Sequence, residues 1–200
     1  MKFTIIGSGA IGGLAGAYMT KAGHDVTMVD RWAEHVAALN EKGMTIDGVR
    51  GDLNVKVKAV TPDNLTGELG NVLLATKSQH TIEALRQIIP FLNANSVVVS
   101  FQNGFNEPEM VKVLNEAGLP GDKIVMGSIP NYGGALVDPG YIEFVHEGPI
   151  QLGELSGEMT PRLKEIGEAL SALTEVQYSD RIWGQIWAKE VYSAQVVFSA

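Results

Sequence analysis

The sequence predicts an α/β fold of the doubly wound kind, a mostly parallel sheet with helices on both faces. Three observations predict it. The runs Lys2 to Ile6, Asp25 to Val29, Val72 to Thr76 and Ser96 to Phe101 are short and near-continuously apolar, as strands buried on both faces must be. Segments of helical periodicity lie between them, with glycine or proline at the joints. Finally, 45% apolar residues in a chain of 200 suffice to bury one good core.

The first strand, Lys2 to Ile6, ends at Gly7, and Ala10 to Ala22 follows as a helix packed with small residues. Gly23-His24 breaks that helix, Asp25 to Val29 is the second strand, and Ala33 to Lys42 is helical up to Gly43. Met44 to Asp47 and the alternating Val55, Val57 and Ala59 flank a turn at Gly48, which predicts a hairpin or an irregular excursion. Regular alternation resumes with Val72 to Thr76, a helix over Thr81 to Ile89 stopped by Pro90, and the strand Ser96 to Phe101. Glu107 to Ala117 and Ile124 to Met126 continue it. Between Asn131 and Leu152 the helices cease and turns such as Asp138-Pro139-Gly140 separate short strands, so an antiparallel extension is expected as an edge or flap. Thr160 to Leu173 reads as a helix, Glu175 to Tyr178 as a last strand, and Asp180 as the N-cap of a final helix through Trp183, Trp187 and Lys189. That pattern runs to Ala200 without a cap. The expectation is one domain over residues 1–179, with 180–200 the first helix of a truncated C-terminal helical domain.

Composition narrows the function classes. A net charge of -8 leaves no basic stripe, so no nucleic-acid partner is expected. The absence of cysteine removes disulfides, thiolate metal sites and thiol nucleophiles, and makes the cytoplasm the default location. The opening MKFTIIGSGA turns glycine-rich too early for a signal peptide, and no later run has the length of a membrane span, so no membrane partner is expected. The four histidines are scattered without ligand spacing, and no metal is expected.

Gly7-Ser8-Gly9-Ala10-Ile11-Gly12 is a GxGxxG placed directly after a strand and at the mouth of a helix, the setting that gives this pattern meaning. Gly7 permits the tight turn, Gly9 lets a pyrophosphate approach the backbone, and Gly12 lets the helix lie against the sheet. The helix N-terminus then presents free N–H groups to phosphate. This marks a Rossmann-type domain. S-adenosylmethionine, the other ligand of such turns, is the weaker fit because it has no pyrophosphate. About twenty residues on, at the end of the second strand, Asp30 would accept from ribose hydroxyls and favour NAD, while Arg31 would pair with a 2′-phosphate and favour NADP. The cofactor is therefore NADP or NAD, with the choice open.

Three further segments follow strand ends: Thr76-Lys77-Ser78-Gln79, Gln102-Asn103-Gly104 and, in the last helix, Trp187-Ala188-Lys189. Together with Gly7 to Gly13, the stretch Met126-Gly127 through Gly134-Ala135, Pro139-Gly140 and Leu152-Gly153-Glu154, they resemble the ketopantoate reductase family over essentially the whole chain. The resemblance implies an oxidoreductase of pantothenate biosynthesis that reduces a 2-keto acid with a nicotinamide cofactor. It further implies Lys189 as the general acid, Lys77 near the nicotinamide ribose, and Asn103 orienting the substrate carbonyl or the cofactor amide. The family pattern carries Asn four and eight residues after the catalytic lysine. Here those positions are Ser193, which can still contact substrate, and Val197, which cannot hydrogen-bond, so the keto acid is left open. The expected partners are a small 2-keto acid and, as an open alternative to a lone chain, a second copy in a homodimer. The competing reading is a dinucleotide-binding sensor module without turnover, for which a proton donor at Lys189 would have no use.

Overall fold

The computed structural model describes residues 1–199, with side chains described for residues 1–192. The elements run β1 (Lys2–Ile6), α1 (Ala10–Lys21), β2 (Asp25–Val29), α2 (Ala33–Lys42), β3 (Met44–Gly48), β4 (Leu53–Val55), β5 (Lys58–Val60), β6 (Asn71–Leu74) and α3 (Thr81–Ile88). They continue with β7 (Val97–Ser100), α4 (Glu107–Glu116), α5 (Gly121–Ile124), β8 (Val125–Pro130), β9 (Gly133–Asp138), β10 (Tyr141–His146), β11 (Ile150–Glu154), α6 (Pro161–Leu170), β12 (Val176–Tyr178) and α7 (Ile182–Ser199).

Eight strands form the main sheet in the order β12-β11-β8-β7-β6-β1-β2-β5. All neighbours are parallel except β11, which runs antiparallel to β8. From β1 the chain moves first to β2 on one side and later to β6 on the other, so the topological switch lies between β1 and β6. Successive residues of each strand face opposite layers. Phe3, Ile5, Met28, Leu73 and Val99 enter one apolar cluster with Leu14 and Met19 of α1, while Ile6, Val29, Leu74 and Val98 enter the other with Leu85 and Met110.

A second sheet, in the order β4-β3-β10-β9, covers the outer side of α1. It consists of two antiparallel pairs joined by a parallel seam in which Tyr141 pairs with Thr45 and Ile142 with Ile46. Helix α1 is thus enclosed by sheets on two sides, and its small residues are what make this fit. A Cβ at Gly16 would strike Met28 of the main sheet, and one at Gly13 would strike Ile142 of the second.

Three expectations need correction. The hairpin expected about Gly48 is present as the antiparallel β3 and β4, but the alternating Val55, Val57 and Ala59 do not continue it as one strand: β4 stays in the second sheet, whereas β5 pairs with β2 in the main one. The antiparallel strands expected between Asn131 and Leu152 are present but divided between two sheets: β9 and β10 pair in the second sheet, and β11 runs against β8 in the main one. Asp180 is not at the cap position, since α7 begins at Ile182; its carboxylate pairs on the surface with Arg181, and Ser179 Oγ accepts from the Arg181 N–H.

Candidate active site

The parallel strands end together along one edge, and the residues singled out from sequence follow those ends. Gly7 N–H donates to Val29 O, Ala75 N–H to Ile6 O and Phe101 N–H to Leu74 O, so the turns after β1, β6 and β7 stand side by side. At Gly7 the backbone has φ of 95°, a region in which an L side chain is strained, and a Cβ there would press on the Ala75 peptide. A Cβ at Gly12 would overlap the Gly7 carbonyl oxygen. At Gly9, by contrast, a Cβ would meet nothing within 4 Å among the described residues. The loop is packed tightly on its inner side and open on its outer side.

Helix α1 has no side-chain cap at Gly9 and no acidic residue in its first turn, so Ala10 and Ile11 open a helix end suited to an anion. Tyr132, buried to 3% exposure with its phenol pushed well above its ordinary pKa by desolvation, donates to the Ile11 carbonyl at 2.8 Å. Ser8 is fully buried; its N–H and Oγ donate to Asp30 Oδ2 at 2.8 and 3.1 Å. The other oxygen of Asp30 accepts from the Trp32 N–H at 3.0 Å.

Beside this loop lies a cavity of about 260 Å³ lined by Gly7, Gly9, Asp30, Arg31, Thr76 and Lys77, with Leu65 and Ile88 among its apolar walls. Arg31 is exposed at its rim and contacts His80 Nε2 at 3.3 Å; because a guanidinium can only donate, that nitrogen accepts. Lys77 is exposed at the same rim. The combination of apolar walls, a loop open at Gly9 and a carboxylate beside a guanidinium suits the adenosine and pyrophosphate of a dinucleotide.

At the next strand ends the chemistry changes. Lys189 of α7 is half-buried; its Nζ donates to Asn103 Oδ1 at 2.8 Å and to Pro130 O, at the end of β8, at 3.3 Å. Desolvation holds its pKa below the usual 10.5, with Glu190 acting in the opposite direction. Glu190 accepts from the Gly104 N–H at 3.2 Å, so two successive residues of α7 grip the Gln102-Asn103-Gly104 turn. Beneath that turn, Gln102 donates to Thr81, Ser78 donates to Asn106, and Asn106 donates to the Asn103 carbonyl. An ammonium held at partial burial beside an amide can stabilise a developing alkoxide and give it a proton.

Gly7, Gly9, Asp30, Arg31 and Lys77 therefore gather on one cavity, with Ser8 in its loop and Ala10, Ile11 and Gly12 in the first turn of α1, while Asn103 and Lys189 meet at an adjoining position. Ser193, expected to contact substrate, and Val197 lie outside the residues whose side chains are described. Sequence reasoning missed His35, His80 and Glu190. The signal for His35 was a polar residue on the apolar stripe of α2, beside Val36 and Leu39; His80 and Glu190 carry none, because their partners are 49 and 86 residues away. Among the described residues no helix is long and apolar enough to cross a membrane.

The family model described as "Ketopantoate reductase PanE/ApbA" matches residues 3–157. The chain is 36% identical to a 2-dehydropantoate 2-reductase of Pyrococcus abyssi and 30% identical to one of Pyrococcus horikoshii, with 98% of this chain and 62% of each relative covered. It spans less than two thirds of their length. Among solved structures, D-mandelate dehydrogenase in a ternary complex with NADH and anilino(oxo)acetate superposes with a TM-score of 0.83 at 23% identity, over 94% of this chain and 60% of that one, which shows a shared fold.

Proposed function

Because this chain belongs to the ketopantoate reductase family, we propose that it is the cofactor-binding part of a reductase that converts a small 2-keto acid to the 2-hydroxy acid with NADPH or NADH. When bound, the dinucleotide supplies the hydride for the carbonyl carbon. The chain's own residues do the rest. Gly7, Ser8, Gly9, Ala10, Ile11 and Gly12 hold the pyrophosphate against the start of α1, Asp30 and Arg31 face the adenosine ribose, and Lys77 lies toward the nicotinamide ribose. Asn103 orients the ammonium of Lys189 and the substrate carbonyl. Lys189 keeps a proton at Nζ and passes it to the carbonyl oxygen as negative charge develops there. Ser193 is assigned a contact with the substrate.

The observation that carries this reading is the bond from Lys189 Nζ to Asn103 Oδ1, at the same sheet edge as the glycine loop. A dinucleotide sensor has no need of a partly desolvated ammonium at that place. The test is a panel of 2-keto acids followed by NADH and NADPH absorbance, with wild type and Lys189→Ala. Loss of the proton donor should lower kcat by about 10² to 10⁴ and leave cofactor affinity nearly intact. A near-normal kcat in the variant would end this mechanism, and cofactor binding without turnover of any keto acid would favour the sensor.

A further inference from the structure

His35 lies in α2, away from the cavity, and its ring is completely buried. Both of its nitrogens are used. Nε2 stands 3.0 Å from the Ser8 carbonyl oxygen, and Nδ1 stands 3.0 Å from the N–H of Gly140, in the turn between β9 and β10. A peptide N–H can only donate, so Nδ1 is the acceptor and carries no proton. The ring's one proton is then on Nε2 and is donated to Ser8. The ring also stacks on Trp32, with centroids 5.7 Å apart and planes 16° from parallel.

The Ser8 residue is thus held from two directions. Asp30 takes its N–H and its hydroxyl, and His35 takes its carbonyl. In a trans peptide the C=O and the following N–H point opposite ways. A Ser8 carbonyl drawn inward to a buried imidazole therefore turns the Gly9 N–H outward, to the open side of the loop. The far end of the clamp is anchored as well, because Gly140 O accepts from Thr45 N–H at the seam of the second sheet.

We propose that His35 is a positioning residue for the phosphate-binding loop: as the Nε2–H tautomer it ties the Ser8 carbonyl to the turn at Gly140 and so presets the Gly9 N–H toward a pyrophosphate oxygen. This role rests on the dinucleotide reading. It gives the second sheet a part in cofactor binding although none of its strands lines the cavity.

Two substitutions divide the two bonds. His35→Gln keeps an N–H donor near the place of Nε2 and loses the acceptor for Gly140, whereas His35→Asn keeps an acceptor near the place of Nδ1 and loses the donor to Ser8. Dissociation constants for NADH and NADPH are measured by quenching of tryptophan fluorescence, and amide exchange across residues 7–13 is measured without cofactor. His35→Gln should bind within about twofold of wild type; His35→Asn should bind about tenfold more weakly, the worth of one hydrogen bond, with faster exchange in the loop. Should His35→Asn not fold, His35→Met, which fills the site without a donor, takes its place with the same expectation. If the Gln and Asn variants bind alike while wild type binds normally, His35 is a packing residue only and the proposal fails alone. A wild type that binds neither cofactor overturns the dinucleotide reading and this role with it.

Discussion

Lys189 and Asn103, 86 residues apart in sequence, are joined by a 2.8 Å hydrogen bond that fastens α7 to the turn after β7. Desolvation has already lowered the pKa of that ammonium. A general acid works while protonated, so kcat/KM should be full below the Lys189 pKa and fall as pH rises through it, at a pH below the 10.5 of an ordinary lysine. Asn103→Asp places a negative charge against the ammonium, favours its charged form and should move the alkaline limb upward. A pH–rate profile of the two proteins checks this; an unmoved limb would mean that another group titrates.

The two sides of the glycine loop should respond differently to added volume. Gly9→Val enters open space, so the melting temperature should hold while dinucleotide affinity drops by about tenfold or more. Gly12→Ala drives a methyl into the Gly7 carbonyl and should destabilise the fold by about 1–3 kcal/mol, the usual cost of overpacking. Thermal melts and calorimetric titrations of both variants separate the effects.

Cofactor choice should be divided between neighbours. Asp30 holds Ser8 and the Trp32 N–H, so Asp30→Ala should weaken both cofactors by loosening the loop, and NADH more than NADPH because the variant also loses the acceptor for the ribose hydroxyls. Among the described residues the Arg31 side chain hydrogen-bonds only His80, at the cavity rim, so Arg31→Ala should weaken NADPH more than NADH if its guanidinium meets a 2′-phosphate. Equal losses for the two cofactors would remove that role.

Glu107 opens α4 behind the Gln102-Asn103-Gly104 turn, at 1% exposure, and among the described residues its Oε2 has no hydrogen-bond partner. Burial raises its pKa above 4.5. A raised folded-state pKa means that the unfolded chain releases the proton more readily. The stabilisation is fully present below about 4.5 and is lost as pH rises from there through the folded value. Glu107→Gln has no such titration. Its melting temperature relative to wild type should therefore climb between pH 4 and pH 7, and a constant difference would place the carboxylate in a better-solvated setting.

The first four elements were legible to within a residue because their ends are written locally. Gly7, Gly23 and Gly43 all adopt positive φ, and each marks a joint that the sequence displays. The run from Val55 to Ala59 was not legible, because alternation reveals a strand but not its partner, and here Lys56 and Val57 pass the chain from one sheet to another. The loop residues and Asp30 were legible from a motif with a mechanism. Lys189 came from family resemblance, since a lysine among tryptophans on a helix does not disclose the Asn103 it will meet. The clamp by His35 depends on Gly140, which sequence distance conceals.

The parallel seam between β3 and β10 also bears on the order in which the molecule takes shape. Each antiparallel half of the second sheet can form from neighbouring segments, but the seam joins residue 45 to residue 141 and demands a long chain closure, the slow kind of contact during folding. On the ribosome the glycine fingerprint emerges first, yet Gly140, which fixes its Ser8 carbonyl through His35, emerges more than half a chain later. A nascent chain halted before residue 133 would carry the whole glycine motif with Ser8 held by Asp30 and with His35 not yet tied to Gly140.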